Sequence, residues 1–476
     1  MVHLAQNDPV IKKLRVALAG TPFADKTYLV GGSVRDLLLG KQITDYDLCI
    51  EIPGGDVSLS EYLFSGGLCS SLQKYKNHNI ISCNMQNCRL ELMQTITSHS
   101  RTIEAEFGTL AQDAMGRDFT INSLYLSLQD LSLIDPTGRG CNDLKTGTIS
   151  AVRDPAICFI DDPLRMLRAL RFQLTLGLNI ETGLWQGIRE HAFRINSLPI
   201  ERISDEIFLM LEYDLAPALE LLQDSGILEQ LSNPLYRALL NARQEGFSLQ
   251  DLFAFLPEQD GVNSGFTTYI FLLWLGFRFG DFTESAAAGS SEAQSFTTAL
   301  LQSVEPILLI PLKVQARIAR IFSTYLYLAE RLNEGKEFET ALLFALDYLA
   351  LDSPYLHQLL AWDLLSCFSE DRHIAKVMAV CRQYLQESAA HTFPLRGEDL
   401  LAQIEKSEYE FMGVYLLLLR LRWLQNPALS ADSLLGALHQ LRPPKIEPAA
   451  LRHIREMLKQ ADWLWEWESW KSKKWI

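Results

Sequence analysis

The stretch "LVGGSVRDLLLGKQITDYDLCIE", residues 29–51, places a glycine pair and a spaced pair of aspartates at the edges of two short apolar segments. The segments "TYLV" (27–30) and "YDLCIE" (46–51) have the apolar and aromatic composition that predicts β-strands. Between them, "SVRDLLL" (33–39) predicts a short helix. The glycine pair therefore joins a strand to a helix, and the aspartates stand where the next strand begins.

Gly31 and Gly32 form the turn at this junction. Glycine adopts positive φ and lets a ligand approach the backbone closely. The start of a helix adds N–H groups and the positive end of the helix dipole, which favour phosphate, and Ser33 adds a hydroxyl. These features predict a phosphate contact, and a plain structural turn is the alternative.

Asp45 and Asp47 are two residues apart in a predicted strand, so their side chains project from the same face. Two adjacent carboxylates need a counter-charge, and their oxygen ligands suit Mg²⁺. Glu91, in the predicted strand "CRLELMQTIT" (88–97), completes such a site if the two strands are neighbours. The alternatives are a solvent-facing aspartate pair and an ordinary exposed glutamate.

The segment "DDPLRMLRALRF" (161–172) predicts a helix with arginines at every third position, on one slowly drifting face. Arg165, Arg168 and Arg171 stand among apolar residues, so each needs an anionic or carbonyl partner. A triphosphate is one such partner. Asp162 and Arg165 together can present an acceptor and donors to the edge of a nucleobase. A structural stripe of ion pairs is the alternative.

The whole chain has 476 residues, a net charge of −15 and 48% hydrophobic residues, which predicts a globular protein of several domains. The charge argues against nonspecific coating of nucleic acid but allows a local basic surface. Each of its apolar runs either is too short to span a bilayer or contains arginine. We therefore expect no membrane contact. No signal-peptide pattern is found, and the scattered cysteines predict buried thiols in a reducing cytoplasm rather than a zinc site.

The order of the predicted elements indicates an α+β fold. The segments 79–85 and 88–97 predict a β-hairpin, and "IDPTGRGCNDLKTG" (134–147) predicts a glycine-rich loop. From about residue 155 the strand patterns fade and helical spacing continues almost to the end. A small mixed head is therefore followed by a long all-α remainder.

Four motifs together resemble a known family: "LVGGSVRDLLLG…DYDL", "GRDFTINSL", "IDPTGRGCNDL" and "DDPLRMLRALRF". Their order and spacing are similar to those of class II CCA-adding enzymes and bacterial poly(A) polymerases, within the polymerase-β-like nucleotidyltransferase superfamily. The resemblance covers about residues 25–225. It implies a catalytic head with a small mixed sheet (residues 1–150) and a helical neck that recognises the nucleotide base (151–227). A helical body (228–395) and a helical tail that can contact tRNA (396–476) would follow.

The resemblance also implies roles for individual residues. The carboxylates Asp45, Asp47 and Glu91 are the implied catalytic set, in which Asp45 and Asp47 hold Mg²⁺. Contacts with the triphosphate, the sugar or the base edge of CTP or ATP are implied for Gly31, Gly32, Ser33, Arg35, Arg117, Asn122, Asp162, Arg165, Arg168 and Arg171. The 3′-hydroxyl of an RNA would attack, and pyrophosphate would leave. The chain departs from the family pattern at Gly116, where arginine is usual, and at Asp161, where glutamate is usual.

Both CCA addition and poly(A) addition use such a head. The segment 71–84 lacks the Gly-Lys/Arg-Lys/Arg-Phe run typical of bacterial poly(A) polymerases, which favours CCA addition to the 3′ end of tRNA from CTP and ATP. The alternatives are a poly(A) polymerase, an enzyme that adds only CC or only A, and a catalytically silent RNA-binding relative. For the tryptophan-rich segment 463–475 we expect packing of a terminal helix, with RNA contact as the alternative. The oligomeric state is left open.

Overall fold

The computed structural model describes residues 2–75, 80–85, 88–97, 106–249, 393–426, 428–443 and 445–457, with a few isolated positions between 272 and 315. The chain divides into two compact units, Met1–Leu231 and Ser232–Ile476. The predicted border between neck and body, at residues 227 and 228, lies close to this division. All of the predicted domain borders remain predictions.

A seven-stranded mixed sheet forms the centre of the first unit. Its strand order is β3-β4-β5-β2-β1-β6-β7, in which β2 and β5 are parallel and the other neighbours antiparallel. The strands are β1 Thr27–Val30, β2 Asp45–Ile50, β3 Ser70–Tyr75, β4 Ile80–Met85, β5 Cys88–Gln94, β6 Tyr125–Ser127 and β7 Leu133–Ile134. The predicted strands β1, β2, β4 and β5 and the β4–β5 hairpin are confirmed, and β3, β6 and β7 were not predicted.

The central strands are fixed by their apolar content. All four residues of β1 are buried, and Leu29 pairs with Leu48 of β2, each with no exposed surface. On β2, Tyr46 and Leu48 are buried whereas Asp45 is exposed and Asp47 is half-buried. This alternation holds one face of β2 in the core and presents the carboxylates on the other.

Helices surround the sheet and form the rest of the first unit. They are α1 Val2–Asn7, α2 Pro9–Leu18, α3 Gly32–Leu38, α4 Gly55–Ser65, α5 Leu110–Gly116, α6 Gly140–Thr146, α7 Pro155–Asp161, α8 Leu164–Leu176, α9 Thr182–His191, α10 Ile200–Tyr213, α11 Leu215–Asp224 and α12 Ile227–Leu231. Short 3₁₀ helices lie at Thr120–Asn122 and Ala192–Ser197. The α+β class predicted from the sequence is confirmed.

Two local predictions were wrong. Part of the expected glycine-rich loop is helix α6, because the Asp135 carboxylate bonds the N–H groups of Gly138 and Cys141 and sets up the turn before it. Gly140 then packs so closely that an added Cβ would lie 2.5 Å from the Thr120 carbonyl oxygen. The expected end of strand structure near residue 155 is also wrong, since β9 Asn179–Ile180 pairs with β8 Thr148–Ile149.

The arginine-rich segment forms α8, as predicted. Its apolar side, with Met166, Leu167 and Leu170, is fully buried. The helix ends at Gly177, whose left-handed φ of 66° and ψ of 28° favour glycine. The preceding α7 is a separate helix, because Pro163 follows it directly.

The second unit is helical wherever it is described. Its helices are α13 Asn233–Gln244, α14 Gly397–Leu401, α15 Met412–Gln425, α16 Ala431–Leu441 and α17 Pro448–Met457, with a 3₁₀ helix at Lys406–Phe411. Its apolar core includes Tyr415, Leu419 and Leu438. Most of the predicted body and the tryptophan-rich segment 463–475 lie outside the described residues. Within the described part of the chain, no helix is long and apolar enough to cross a membrane.

Candidate active site

The glycine turn lies at the end of β1. Gly31 has a φ of 70° and a ψ of −134°, a backbone conformation that is strongly unfavourable for every residue with a Cβ atom. A Cβ added there would lie 3.4 Å from Arg117 Nη1 and 3.5 Å from Asp47 Oδ2. Gly31 therefore keeps a space open between a guanidinium and a carboxylate.

The carboxylate pair lies beside this turn, on one face of β2 as predicted. Tyr46, between the two aspartates, points the other way and donates a 2.8 Å hydrogen bond to Asp8. β5 is the parallel neighbour of β2, and Glu91 stands opposite Asp47 in the register. The neighbouring strands on which the Glu91 hypothesis depended are thus present.

The side chain of Glu91 is engaged elsewhere, because it forms a 3.0 Å ion pair with Arg89 of its own strand. Among the described residues, no group of three or more His, Cys, Asp or Glu side chains is placed to hold a metal ion. The candidate metal ligands are therefore the carboxylates of Asp45 and Asp47. Mg²⁺ is often bound in proteins by one or two carboxylates that share it with substrate phosphates and water, so this pair fits the ion.

Ser33 uses its hydroxyl within the protein. Its Oγ donates a 2.9 Å hydrogen bond to the Asp45 carbonyl and accepts a 3.0 Å bond from the Asp47 N–H. The residue is buried. The sequence had suggested a phosphate contact for this hydroxyl, and the structure joins it to the strand that carries the aspartates.

Arg35 and Asn122, predicted to contact the triphosphate and the sugar, contact each other. Arg35 Nη1 donates a 2.7 Å hydrogen bond to Asn122 Oδ1, and its Nε donates to Asp36 at 2.9 Å. The guanidinium carbon lies 5.0 Å from the ring centre of Phe172 in α8. Arg35 is buried and oriented from three sides.

Arg117 follows α5 and is oriented by two residues that the sequence did not single out. Its Nε and Nη2 contact Asp113 Oδ2 at 3.0 and 2.9 Å, and Tyr125 donates a 2.6 Å hydrogen bond to the same oxygen. Burial alone would lower the pKa of Arg117, but the electrostatic effects of Tyr125 and Asp113 outweigh it and raise that pKa well above its usual value. Arg117 is therefore a fixed cation, with Nη1 directed toward the space at Gly31.

A second network joins the 3₁₀ turn to α8. Asp118 accepts hydrogen bonds from Arg168 Nε at 2.9 Å and from Asn122 Nδ2 at 3.1 Å. Burial acts to raise the pKa of Asp118, but Arg168 and the hydrogen bonds outweigh it and lower the pKa to about 2. Glu206 of α10 accepts from Arg171 Nε at 2.6 Å and lies 3.5 Å from Arg168 Nη1. For Arg168 and Arg171 the structure thus shows the ion-pair stripe, and a phosphate contact remains a prediction.

Asp162 and Arg165 were predicted to read the base. Asp162 accepts from the Leu164 N–H at 3.1 Å and from Arg202 at 2.8 Å. Arg165 Nη2 donates a 2.6 Å hydrogen bond to the Gly116 carbonyl, whereas its Nη1 is buried with no hydrogen-bond partner among the described atoms. A buried guanidinium nitrogen without a partner is costly, so this nitrogen is a candidate ligand donor.

The structure thus brings the predicted residues into two groups within the first unit. Gly31, Asp47 and Arg117 border one space, and Arg35 and Asn122 join the network that leads to Arg168. The residues that sequence reasoning missed are anchors for these side chains: Asp113, Asp118, Tyr125, Phe172 and Glu206. Only Asp113 had a local signal, since it lies four residues before Arg117 along one helix face.

Comparison with known proteins gives two family matches. The family described as "Poly A polymerase head domain" matches residues 27–150, and the family described as "Probable RNA and SrmB- binding site of polymerase A" matches residues 177–238. The first match contains the glycine turn, the carboxylates and Arg117. The base-reading candidates in 161–172 lie between the two matches.

Similar curated proteins include both activities. Poly(A) polymerase I of Haemophilus influenzae is 29% identical over 252 residues, which are 49% of this chain and 54% of the relative. The CCA-adding enzyme of Leuconostoc mesenteroides is 32% identical over 231 residues, 48% of this chain and 54% of the relative. The chain spans about half the length of each of these relatives.

Among solved structures, the Thermotoga maritima CCA-adding enzyme complexed with tRNA has a TM-score of 0.55 at 19% identity, over 92% of this chain and 97% of that one. A structure of a CCA-adding enzyme with CTP also has a TM-score of 0.55, at 20% identity, over 92% of this chain and 97% of that one. These likenesses show a shared fold.

Proposed function

We propose that the chain is a nucleotidyltransferase of the kind represented by poly(A) polymerases and CCA-adding enzymes, and that it extends the 3′ end of an RNA from nucleoside triphosphates; the family matches over residues 27–150 and 177–238 and the similar CCA-adding enzymes support this proposal. One observation carries the proposal. Gly31, Asp47 and Arg117 border a single space, in which an added Cβ would lie within 3.5 Å of both the carboxylate and the guanidinium. A glycine wall, a metal-binding carboxylate and a fixed cation are the groups that a triphosphate needs.

Asp45 and Asp47 would hold Mg²⁺. When bound, the ion supplies charge neutralisation for the phosphates and lowers the pKa of an attacking hydroxyl. The carboxylates would fix the position of that ion beside the glycine turn, and because the substrate phosphates would share it, the reacting end of the nucleotide would be held there. Glu91 stands opposite Asp47 in the register, and because its carboxylate is paired with Arg89, its part in catalysis remains a prediction.

The arginines have separate tasks in this proposal. Arg117 presents Nη1 to the triphosphate beside Gly31, and Arg35 and Asn122 support the same end of the nucleotide. Asp162 and Arg165 read the base edge, with the buried Nη1 of Arg165 as the donor that a base acceptor would satisfy.

For the RNA product we propose addition of CCA to tRNA from CTP and ATP. This choice is supported by the sequence of segment 71–84, which lacks the basic run typical of bacterial poly(A) polymerases. It is also supported by the related structures that are named as complexes with tRNA and with CTP. Poly(A) addition is the second candidate, because poly(A) polymerase I of Haemophilus influenzae is 29% identical over about half of the chain. A cytoplasmic location remains a prediction.

A nucleotide-addition assay tests both candidates. Three tRNAs, ending before the CCA tail, after CC, or with CCA complete, are incubated with Mg²⁺ and with CTP and ATP separately and together. Two C residues followed by one A on the first tRNA support CCA addition. Long A tracts on any RNA support poly(A) addition, addition of only CC or only A indicates a split activity, and no incorporation on any substrate refutes the proposed transferase.

Substitution of the carboxylates tests the metal assignment. We expect Asp45→Asn and Asp47→Asn each to reduce transfer at least 100-fold while the circular-dichroism spectrum stays unchanged, because the amide oxygen is a weak neutral ligand. Asp130→Asn is the matched control. The Asp130 carboxylate bonds Ser132 within its own turn, at 3.0 and 2.7 Å. Transfer at the wild-type rate by either site variant would show that the metal lies elsewhere.

A further inference from the structure

The Ser33 hydroxyl connects the glycine turn to the carboxylate pair. It is the donor in a 2.9 Å bond to the Asp45 carbonyl and the acceptor in a 3.0 Å bond from the Asp47 N–H. Ser33 belongs to α3, the helix that begins directly after Gly31. One oxygen atom therefore contacts the backbone of both aspartates that are proposed to hold the metal.

The position of this contact follows from the sheet. β1 and β2 pair as far as Leu29 and Leu48, and β1 ends at Val30 before the chain turns away. β5 pairs with the start of β2 along one edge, and on the edge toward β1 the Asp45 carbonyl and the Asp47 N–H meet Ser33 of α3 instead of a strand. A hydroxyl can donate and accept at once, so Ser33 continues the hydrogen bonding where the antiparallel ladder stops.

We propose that Ser33 is a positioning residue, which fixes the aspartates relative to the glycine turn and makes no contact with the nucleotide itself. The inference rests on the proposed function, because the position of the aspartates matters through the metal and the triphosphate. Ser33 is 3% exposed, and both of its bonds go to the backbone of β2. A hydroxyl engaged in this way has little capacity for a phosphate oxygen.

Loss of the hydroxyl has a defined consequence. The Asp47 N–H and the Asp45 carbonyl lose the oxygen that holds them 3.0 and 2.9 Å from Oγ. The start of β2 can then shift relative to the glycine turn, and the two carboxylates shift with it. Groups that orient metal ligands from behind typically change metal affinity or activity about 10- to 100-fold when they are removed.

Three variants separate positioning from direct contact. Ser33→Ala removes the hydroxyl, and Ser33→Thr keeps it. Ser60→Ala is the matched control, because Ser60 is 2% exposed and, within the described part of the chain, its hydroxyl donates to the Val57 carbonyl of its own helix at 2.8 Å and to no other group. Mn²⁺ binding to the full chain is measured by electron paramagnetic resonance, with Mn²⁺ as the probe for the Mg²⁺ site, and thermal unfolding is followed in parallel.

We expect Ser33→Ala to bind Mn²⁺ at least about tenfold more weakly and to need more Mg²⁺ for half-maximal nucleotide addition, with KM for the triphosphate at saturating metal unchanged. Ser33→Thr should restore Mn²⁺ binding, and Ser60→Ala should equal the wild type. Unchanged Mn²⁺ affinity in Ser33→Ala would overturn the proposal. A raised KM for the triphosphate with unchanged metal binding would assign a direct phosphate contact instead.

Two further controls keep the result unambiguous. If Ser33→Ala does not fold, Ser33→Cys keeps the side-chain volume with a weak hydrogen-bonding group, and the same comparison applies to it. The metal readout also separates this inference from the proposed function. If the wild-type protein transfers no nucleotide but Ser33→Ala weakens Mn²⁺ binding, only the proposed function is refuted. If the wild-type protein is active and Ser33→Ala binds Mn²⁺ with unchanged affinity, only the positioning role is refuted.

Discussion

A single methyl group at Gly31 tests whether the space beside Asp47 is used. The backbone there has a φ of 70° and a ψ of −134°, which costs a residue with a Cβ about 1–3 kcal/mol. The methyl itself would be in ordinary contact, 3.4 Å from Arg117 Nη1 and 3.5 Å from Asp47 Oδ2. Gly31→Ala should therefore fold, with the space between the two charged groups filled.

Gly177→Ala is the matched control for backbone strain. Gly177 caps α8 with a φ of 66°, and no atom lies within 4 Å of an added Cβ. The left-handed conformation costs a non-glycine residue about 1–2 kcal/mol. Both variants should thus lose a similar amount of stability, and only Gly31→Ala obstructs the proposed site.

The expected loss of activity follows from one charge-assisted hydrogen bond. Such a bond between Arg117 and a phosphate contributes about 1.5–3 kcal/mol, which corresponds to about a 10- to 150-fold lower kcat/KM for nucleotide addition. Urea unfolding gives the stability of each variant, and steady-state addition below the unfolding range gives its activity. Wild-type kcat/KM in Gly31→Ala, or an equal loss of activity in Gly177→Ala, would refute the assignment of this space to the nucleotide.

The networks behind the site give two predictions about stability. Asp113→Asn leaves the buried guanidinium of Arg117 without its anion and should lower the free energy of unfolding by about 3–5 kcal/mol, whereas Tyr125→Phe removes one hydroxyl and should cost about 1–2 kcal/mol. Urea titrations that give equal losses would contradict this order. Asp118 has its pKa lowered from 3.8 to about 2 in the folded protein, because Arg168 and hydrogen bonds from Asn122 and Phe119 together outweigh burial. The ionised carboxylate with all of these partners therefore stabilises the fold by about 2 kcal/mol above pH ~4, and this contribution is lost as the pH falls toward 2. The stability difference between wild type and Asp118→Asn should therefore shrink between pH 5 and 2, and a constant difference would refute the shift.

The fold could be predicted where it depends on local pattern. β1 has the predicted bounds, Thr27–Val30, because a short buried strand followed by two glycines is legible in the sequence alone. The shared face of Asp45 and Asp47 follows from the period of a strand. The parallel pairing that sets Glu91 opposite Asp47 could be stated only as a condition, because strand adjacency is not encoded in either segment.

The candidate site was predicted less completely, because its anchors are distant along the chain. Arg35 meets Asn122 across 87 positions, and Arg168 meets Asp118 across 50. The helix at Gly140–Thr146 was missed for a different reason, because its glycine-rich start predicted a loop although the nearby Asp135 sets up the turn before it. Sequence motifs predicted which side chains are functional, and only the folded chain shows which groups hold those side chains in place.

The acidic composition is consistent with this division of tasks. The chain carries a net charge of −15, and part of its acid content neutralises the site arginines: Asp118 and Glu206 pair with Arg168, and Asp113 pairs with Arg117. An arginine paired in this way keeps its direction but attracts RNA only weakly at a distance.

Arg117 Nη1 and Arg165 Nη1 take part in none of the internal hydrogen bonds described above. Arg117 Nη1 borders the space at Gly31, and Arg165 Nη1 is buried without a partner among the described atoms. They meet the same short segment of backbone, because Arg165 bonds the carbonyl of Gly116, the residue directly before Arg117. The glycine where relatives usually have arginine therefore lies between the proposed phosphate donor and the proposed base donor. Since the contact to Gly116 uses its backbone carbonyl, the departure from the family pattern leaves this link intact.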